Sequence, residues 1–366
     1  MRVVVVGAGV IGCAVAFECA RRGARVQVVD RRRPGQGATQ ASAGMLAPYI
    51  EGHSAALLDL TVRGLAEWDP FLATLNASAG AVPEYARNGT LQAVFDDAGT
   101  DELQAQSRLL ASAGVPHRSV CGDEARKLEP ALSPEVRAAL EIPTHGYVSA
   151  AALIEILVGA STSLAASFTH ASVLDVETTG TGVLVTTDTG KIAGDAAVVA
   201  TGSWTAELAR RTDGAATLPV RPVKGQLIQL RPQEPVAARV LWGPGCYMVP
   251  RTDGSLLVGA TSEDAGFDER PTVCGVRALT TAASTLVPAL NGAAFEGVRV
   301  GLRPATADEL PIVGPSSRLP RVFYATGHYR NGVLLAPLTA RVVADLVLNQ
   351  PPGVDLESMR PARFGL

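Results

Sequence analysis

The sequence has few clustered charges: its longest run of basic residues is the three arginines at 31–33, and its formal net charge is −3. Binding to a nucleic-acid backbone relies on clustered Lys and Arg, so a nucleic-acid partner is disfavoured. Cysteine is also sparse, and no two cysteines form a C-x-x-C pair; the five are Cys13, Cys19, Cys121, Cys246 and Cys274. This number and spacing argue against a disulfide framework or a zinc site and favour a reducing compartment.

The sequence also lacks a long uninterrupted apolar run. Residues 1–20 are apolar overall, but Gly7, Gly9 and Gly12 interrupt them, Glu18 lies among them, and no convincing cleavage region follows. This stretch is therefore too broken for a membrane span and does not have the pattern of a secretory signal peptide. We expect a cytoplasmic protein with no membrane partner.

Hydrophobic residues are abundant, at 47% against 18% charged residues, so the chain can bury a large core. A length of 366 residues suggests two domains, or one large α/β domain with a second lobe. Both ends of the chain alternate strand-like runs with helical stretches, while residues 217–300 are rich in strands. The pattern predicts an α/β protein in which insertions separate the pieces of a nucleotide-binding lobe and form a second lobe.

A glycine-rich turn carries the first chemical signal. Gly7, Gly9 and Gly12 follow the strand-like run 2–6 and open a helical stretch, and Asp30 ends the next strand-like run. Such glycines permit a tight turn, close approach of the backbone to a pyrophosphate, and close packing of helix on strand, while the carboxylate accepts hydrogen bonds from ribose hydroxyls. The motif predicts a Rossmann-type unit for NAD or FAD. Asp30 disfavours the 2′-phosphate of NADP, although two arginines follow it directly.

Three further segments favour FAD over NAD. Residues 37–48 follow the second strand with small side chains, which leaves room for a bulky isoalloxazine ring. Residues 198–205 form a strand-to-turn segment with Gly202 and Trp204, and residues 325–327 form another Ala-Thr-Gly turn. A long cofactor that runs through several turns accounts for all three segments.

With these motifs the sequence resembles the FAD-dependent D-amino-acid oxidase family, and within it the glycine oxidases of bacterial thiamin biosynthesis. The resemblance extends from residue 3 to about residue 346 and includes "ATQASAGMLAP", "ATGSWT", "PVKGQ", "GLRPAT" and "GHYRNGVLLAP". It implies an α/β fold in which a Rossmann-type FAD-binding lobe is interleaved with an α+β substrate-binding lobe built on an antiparallel or mixed sheet. Both predicted domains are discontinuous: FAD-binding 1–50, 145–215 and 296–366; substrate-binding 51–144 and 216–295.

The resemblance assigns most of the motifs to a noncovalently bound FAD. The residues expected to contact it are Gly7, Gly9, Val10, Ile11, Gly12, Asp30, Arg31, Ala38, Thr39, Ala43, Gly44, Met45, Val173, Gly202, Trp204, His328, Tyr329, Arg330, Asn331, Gly332, Val333 and Leu334. The backbone of Val173 would contact the adenine. The turn from His328 to Leu334, with a helix N-terminus expected at 331–334, would donate N–H groups to the pyrimidine end of the flavin.

Three residues are expected to line an amino-acid pocket: Arg303, Tyr247 and Arg330. A guanidinium is permanently charged and forms two parallel hydrogen bonds with a carboxylate, so Arg303 is expected to be the main clamp. Tyr247 would add a hydroxyl, and Arg330 would lie on the other side of the pocket or compensate charge near the reduced flavin. Gly245 stands where similar glycine oxidases can carry a histidine, so we expect a wider or less polar entrance.

The resemblance implies oxidative deamination of a small amino acid, with glycine favoured, coupled to reduction of O2 to H2O2 and serving synthesis of the thiamin thiazole. This chemistry needs orientation and charge rather than a nucleophile, and no metal site is predicted. Alternatives are a D-amino-acid or sarcosine oxidase or dehydrogenase of the same fold, an NAD-dependent dehydrogenase, and a noncatalytic flavin-binding module. The expected partners are the amino acid and O2, and similar glycine oxidases form tetramers.

Overall fold

The first βαβ unit forms as the sequence predicts. A computed structural model of the chain describes residues 1–50, 54–212 and 219–365. In it, β1 (Arg2–Val6) and β2 (Arg25–Asp30) are parallel neighbours, and α1 (Val10–Arg21) connects them. The β-branched side chains of both strands favour an extended backbone.

The other described strands and helices follow this unit in chain order. The strands are β3 (Met45–Leu46), β4 (Tyr85–Ala86), β5 (Thr90–Val94), β6 (Arg118–Cys121), β7 (Ala138–Ile142), β8 (Gly146–Val148), β9 (Ser167–His170), β10 (Val173–Thr178), β11 (Val183–Thr187), β12 (Gly190–Gly194), β13 (Ala196–Val199), β14 (Arg221–Arg231), β15 (Val240–Gly243), β16 (Cys246–Pro250), β17 (Leu256–Gly259), β18 (Ala294–Ala305), β19 (Ile312–Pro315) and β20 (Val322–Thr326). The helices are α2 (Ala55–Ala66), α3 (Trp68–Ala79), α4 (Asp97–Ser112), α5 (Gly122–Leu128), α6 (Ala150–Ser163), α7 (Thr205–Thr212), α8 (Val273–Leu286) and α9 (Ala336–Val347).

A six-stranded sheet has the order β19-β20-β13-β1-β2-β9, and its strands are parallel except for β19. Alternate residues of β1 face two different layers. Val3 and Val5 pack in one apolar cluster with α1 and α9, while Val4 and Val6 pack in another with β11. Burial of both faces explains why the parallel strands read as continuous apolar runs.

An eight-stranded sheet has the order β18-β14-β17-β16-β15-β5-β7-β6. Its neighbours are antiparallel except for the parallel pair β15 and β5, so the sheet is mixed. One face is covered by α8, whose Leu279, Ala283 and Leu286 share a cluster with Met248 and Val258. Small three-stranded sheets, β10-β11-β12 and β3-β8-β4, complete the described strands.

These two large sheets confirm the predicted α/β class with a mixed second sheet. The domain boundaries stay a prediction, but the one at residue 296 falls inside β18, which pairs with β14 from Ala294 to Ala305. Among the described helices, none has both the length and the apolar character needed to span a bilayer.

A buried ion-pair network joins α1 to α9. Glu18, which is 6% exposed, accepts hydrogen bonds from the guanidinium groups of Arg21 and Arg22, and Arg22 also binds Asp345 of α9. Burial alone would raise the pKa of Glu18, but the hydrogen bonds from the two arginines outweigh it and lower the pKa of this carboxyl. The network therefore fastens two helices that cover one face of the six-stranded sheet.

We expect Glu18→Gln to lower the free energy of unfolding by about 2 kcal/mol, because a buried carboxylate loses its charge-assisted hydrogen bonds with Arg21 and Arg22. Urea unfolding at neutral pH with saturating FAD measures this. The difference from the wild type should shrink at acid pH, because stabilisation by a carboxyl with a lowered pKa is lost as the pH falls through its folded-state pKa.

The control is Asp59→Asn, which removes the exposed ion pair with Arg63 on α2. It should change the free energy of unfolding by less than about 0.5 kcal/mol. Equal effects of the two substitutions would contradict the special role of the buried network.

Candidate active site

The carboxyl ends of β1, β2, β13 and β20 border a cavity of about 490 Å³, and the eight-stranded sheet forms its opposite wall. Ligands of open α/β sheets bind outside the carboxyl ends of the strands, so the position is that of a binding site. Every residue of the predicted cofactor and substrate sets lines this cavity except Gly12.

The turn after β1 needs each of its glycines for a different reason. Gly7 has φ +109°, and a Cβ there would lie 2.4 Å from the carbonyl oxygen of Ala200. At Gly12 a Cβ would lie 1.9 Å from the carbonyl oxygen of Gly7, which explains why this residue is packed under the turn and does not line the cavity. Gly9 faces the cavity, where a Cβ would be 3.5 Å from Thr39 Oγ1.

Two side chains hold this turn in place. The carboxylate of Asp30 accepts hydrogen bonds from the backbone N–H of Ala8 at 2.7 Å and of Arg32 at 2.9 Å. Thr39 Oγ1 accepts one from the N–H of Val10 at 3.0 Å. Gly9 precedes α1 without a side-chain cap, so the positive end of the helix faces the cavity.

One segment runs along the cavity and contains Ala38, Thr39, Ala43, Gly44 and Met45. It contacts the small sheet β3-β8-β4 and the eight-stranded sheet. A Cβ at Gly44 would lie 1.8 Å from the carbonyl oxygen of Val148 in β8. On the other side, a Cβ at Gly301 of β18 would lie 3.0 Å from the Cα of Ala38. The cavity is therefore narrow here because three backbones approach each other closely.

The last turn of the site follows β20. All seven residues from His328 to Leu334 line the cavity, and Gly327, with φ +74°, starts the turn. His328 is 2% exposed, its Nε2 lies 3.0 Å from Thr339 Oγ1, and burial lowers its pKa to about 3. The prediction of a helix N-terminus at 331–334 is wrong, because α9 begins at Ala336 after a run of turns.

The three residues predicted to form an amino-acid pocket all line the cavity. A Cβ at Gly225 would lie 2.5 Å from the guanidinium of Arg303, so this group lies directly on β14, and its Nη1 donates to the carbonyl of Thr261 at 2.9 Å. Tyr247 lies in the same way over Gly259 of β17. Arg330 is exposed, with its guanidinium carbon 5.1 Å from the ring centroid of Tyr329.

Sequence reasoning missed Trp242, which lines the cavity and stacks on Tyr247 with ring centroids 5.3 Å apart. The signal was available in "WGPGCY". The glycines and proline indicate a hairpin turn, and pairing across it sets Trp242 opposite Tyr247. Gly225 and Gly259 were also missed, because their role depends on side chains from other strands.

The structure corrects the interpretation of Gly245. This residue lies outside the lining of the cavity, and a Cβ there would first meet the Cβ of Ala282 on α8, at 3.4 Å. It therefore gives no reason to expect a wider entrance. Cys246 is buried in the cluster with α8, on the opposite face of β16 from Tyr247, and burial raises its pKa to about 12. Within the described ranges, no group of acidic, His and Cys side chains could hold a metal ion.

The cavity fits FAD on three observations. Gly9 leaves room above the turn, the uncapped start of α1 presents N–H groups suited to a pyrophosphate, and the lining continues from this turn to Arg303. NAD would use the first two features equally well. A longer cofactor with a ring system needs a cavity that continues from the glycine turn toward Arg303, as this one does.

Comparison with known proteins agrees with this fit. A family model described as "FAD dependent oxidoreductase" matches residues 2–346. Glycine oxidase from Geobacillus kaustophilus is 35% identical over 358 residues, which cover 97% of this chain and 94% of that protein. A bifunctional protein ThiO/ThiG from Nostoc sp. is 36% identical over 355 residues, which cover 95% of this chain but 53% of that protein.

Solved structures have the same fold. A crystal structure of the Geobacillus kaustophilus glycine oxidase has a TM-score of 0.93 at 34% identity and covers 98% of both chains. Iminodiacetate oxidase from Chelativorans sp. has a TM-score of 0.90 at 28% identity, with 98% of this chain and 99% of that chain covered. The resemblance to glycine oxidases is thus confirmed. The chain belongs to the DAO family of FAD-dependent oxidoreductases.

Proposed function

We propose that this protein oxidises small amino acids, with glycine as the favoured substrate, and that bound FAD supplies the hydride acceptor. The observation that carries the proposal is that Arg303 and Tyr247 line the same cavity as the glycine turn. A cation suited to a carboxylate and a cradle suited to a dinucleotide share one space. The names of similar proteins, glycine oxidase and iminodiacetate oxidase, support this class of substrate.

Arg303 binds the carboxylate of the substrate. Its guanidinium is oriented in advance, because it lies on Gly225 and donates to the carbonyl of Thr261. A planar guanidinium and a carboxylate form two parallel charge-assisted hydrogen bonds, which fix the direction of the carboxylate. Fixing the carboxylate positions the α-carbon for hydride transfer.

Tyr247 and Arg330 complete the pocket. The ring of Tyr247 is held between Trp242 and Gly259, so its hydroxyl has a defined direction in which to donate to the same carboxylate. Arg330 adds positive charge at the turn expected to meet the pyrimidine end of the flavin, where negative charge develops on reduction.

If the substrate binds with a neutral amine, the protein has no proton to remove from it before hydride transfer. His328 does not serve as a base, because its Nε2 is hydrogen-bonded to Thr339 and its pKa of about 3 makes it a poor proton acceptor at neutral pH. The residues that line the pocket bind and orient, and the cofactor carries out the oxidation.

The cofactor would lie along the lining residues in the order of the motifs. The start of α1 holds the pyrophosphate, Asp30 and Arg31 contact the ribose, and Val173 contacts the adenine. Residues 38–45 and 328–334 surround the ring system. We expect noncovalent binding: none of the five cysteines lines the cavity, and Nε2 of His328, which does line it, is hydrogen-bonded to Thr339.

Oxygen is the electron acceptor and H2O2 the second product, and the imine serves synthesis of the thiamin thiazole. The name glycine oxidase supports oxygen as the acceptor. The name ThiO/ThiG of the bifunctional relative supports a role in thiamin synthesis. Assembly as a tetramer and a cytoplasmic location stay predictions.

A second candidate is oxidation of an N-substituted glycine such as sarcosine or iminodiacetate. The likeness to iminodiacetate oxidase, with a TM-score of 0.90, favours it. Both candidates use the same clamp for the carboxylate, and they differ only in the space and charge around the amine.

A substrate panel tests the proposal. We expect kcat/KM, followed by peroxide release, to be highest for glycine among glycine, sarcosine, iminodiacetate, D-alanine and D-proline, and we expect glycine to bleach the flavin absorption band without oxygen. Glycinamide is the control, because it keeps the amine and α-carbon but lacks the carboxylate. Failure of every amino acid to reduce the flavin would overturn the proposal, and reduction without peroxide release would indicate a dehydrogenase.

Arg303→Ala should lower kcat/KM for glycine about 100-fold, mainly through KM, because it removes one partner of a charge-assisted pair. The FAD content should be unchanged. Arg299→Ala is the matched control: Arg299 lies on the same face of β18 but binds Gln229 and does not line the cavity. An equal rise of KM in both variants would contradict the clamp.

Gly225→Ala tests the same clamp without removing its charge. The new methyl group would lie 2.5 Å from the guanidinium of Arg303 and must displace that flexible group. We expect KM to rise about ten-fold, because displacement of a binding group by about 1 Å has effects of this size or larger. Gly159→Ala on α6, where an added Cβ meets nothing within 4 Å, should leave KM unchanged. A wild-type KM for Gly225→Ala would show that the position of Arg303 is unimportant.

A further inference from the structure

The segment from Thr261 to Thr272 connects β17 to α8, and we call it the strap. Both of its ends are fastened to Gln226, a fully buried residue of β14. The side-chain amide of Gln226 donates to Glu263 at 2.7 Å and to Thr272 Oγ1 at 2.8 Å, and its carbonyl accepts from the N–H of Thr272 at 2.9 Å. The backbone N–H of Gln226 donates to Thr261 Oγ1 at 2.9 Å. The base of the strap is therefore rigid.

The middle of the strap contacts two residues that line the cofactor end of the cavity. Glu269 accepts two hydrogen bonds from Arg32, at 3.0 and 2.7 Å. Phe267 contacts Trp204 with ring centroids 5.8 Å apart. The strap itself does not line the cavity, so at the cofactor end it reaches the cavity through Arg32 and Trp204.

These two residues meet above the glycine turn. Arg32 follows β2 and Trp204 follows β13, the two strands that flank β1 in the sheet. The guanidinium carbon of Arg32 lies 4.5 Å from the ring centroid of Trp204, and that of Arg31 lies 4.9 Å from it. Such cation–π contacts connect the segments after β2 and β13 across the turn after β1.

The pair of Arg32 and Glu269 has the geometry of a specific contact. It is bidentate, and the two side chains are 26% and 28% exposed, so solvent screens it only in part. The hydrogen bonds that Arg32 donates to Glu269 are the main reason that the pKa of Arg32 is raised. A planar guanidinium held at both nitrogens by Glu269 keeps its face toward Trp204.

We propose that the strap closes the cofactor crevice, and that Glu269 is a positioning residue that retains FAD by holding Arg32 against Trp204. A dinucleotide over the turn after β1 leaves the crevice when the contact between the two flanking segments opens. Breaking the pair of Arg32 and Glu269 makes that opening easier. The proposal rests on FAD binding alone and is independent of which amine is oxidised.

The test measures how fast purified holoenzyme loses FAD. The holoenzyme is diluted, without substrate, into an excess of a second apoprotein that captures the released FAD, and flavin fluorescence reports the release. Glu269→Gln should lose FAD about five-fold faster, the size expected for one partly exposed ion pair. Asp268→Asn is the control, because Asp268 stands next to it in the strap but pairs with Arg270. High salt should speed FAD loss in the wild type and change it little in Glu269→Gln.

A wild-type rate for Glu269→Gln, or an equal rise in Asp268→Asn, would overturn the proposal. Glu269→Gln is also combined with Trp204→Leu. If Glu269 acts through Trp204, the glutamine substitution adds nothing in that background, whereas a full additional effect would refute the closure. We expect the Glu269→Gln apoprotein to have the same melting temperature as the wild-type apoprotein. This result would show that faster FAD loss does not come from a general loss of stability.

Discussion

The close approach of β18 to the segment at residues 37–41 is the constraint on which the site depends. A Cβ at Gly301 would lie 2.9 Å from the Cβ of Ala41 and 3.0 Å from the Cα of Ala38. No side chain fits between these backbones, so the eight-stranded sheet contacts the segment that follows β2 directly. The cradle for the dinucleotide and the residues expected to bind the substrate face the same cavity as a result.

In the eight-stranded sheet, other glycines also allow a neighbouring group to approach the backbone closely. Arg303 and Tyr247 are long side chains on neighbouring parts of one face, and each lies flat on a strand because the residue beneath it is glycine. A flat guanidinium loses little further freedom when it binds a planar carboxylate, so less of the binding free energy is spent on ordering the side chain. This arrangement would help to orient a small amino acid, which offers few contacts, as the proposed function requires.

Local sequence signals predicted the parts of the site that depend on one segment. The spacing of Gly7, Gly9, Gly12 and Asp30 was sufficient for the turn, because Gly12 answers a contact within the βαβ unit and Gly7 a contact with Ala200, directly after the adjacent strand β13. The choice of FAD over NAD needed the distant segments as well, and membership of the family decides it. The first residue of α9 was misjudged, because turns and a short helical turn occupy residues that the sequence reads as a helix start.

Contacts between distant strands could not be predicted from the sequence. Gly245 was read as a pocket residue because similar glycine oxidases can carry a histidine there, yet a Cβ at this position would face Ala282 of α8, which lies far from it in the sequence. Gly225 shows no local signal, since its importance comes from Arg303, 78 residues later in the chain. Pairing of β14 with β18 is what brings them together.

The strap makes hydrogen bonds with residues at both ends of the cavity. Its first residue, Thr261, accepts a hydrogen bond from Arg303, and its middle residue, Glu269, binds Arg32. Because Gln226 fixes both ends of the strap, a displacement at one end is resisted by the same buried hydrogen bonds that hold the other. The guanidinium expected to bind the substrate and the guanidinium that packs on Trp204 are thus hydrogen-bonded to two residues of one segment that are eight peptide bonds apart, at most about 30 Å when fully extended. This segment therefore connects Arg303 with the wall of the cofactor crevice.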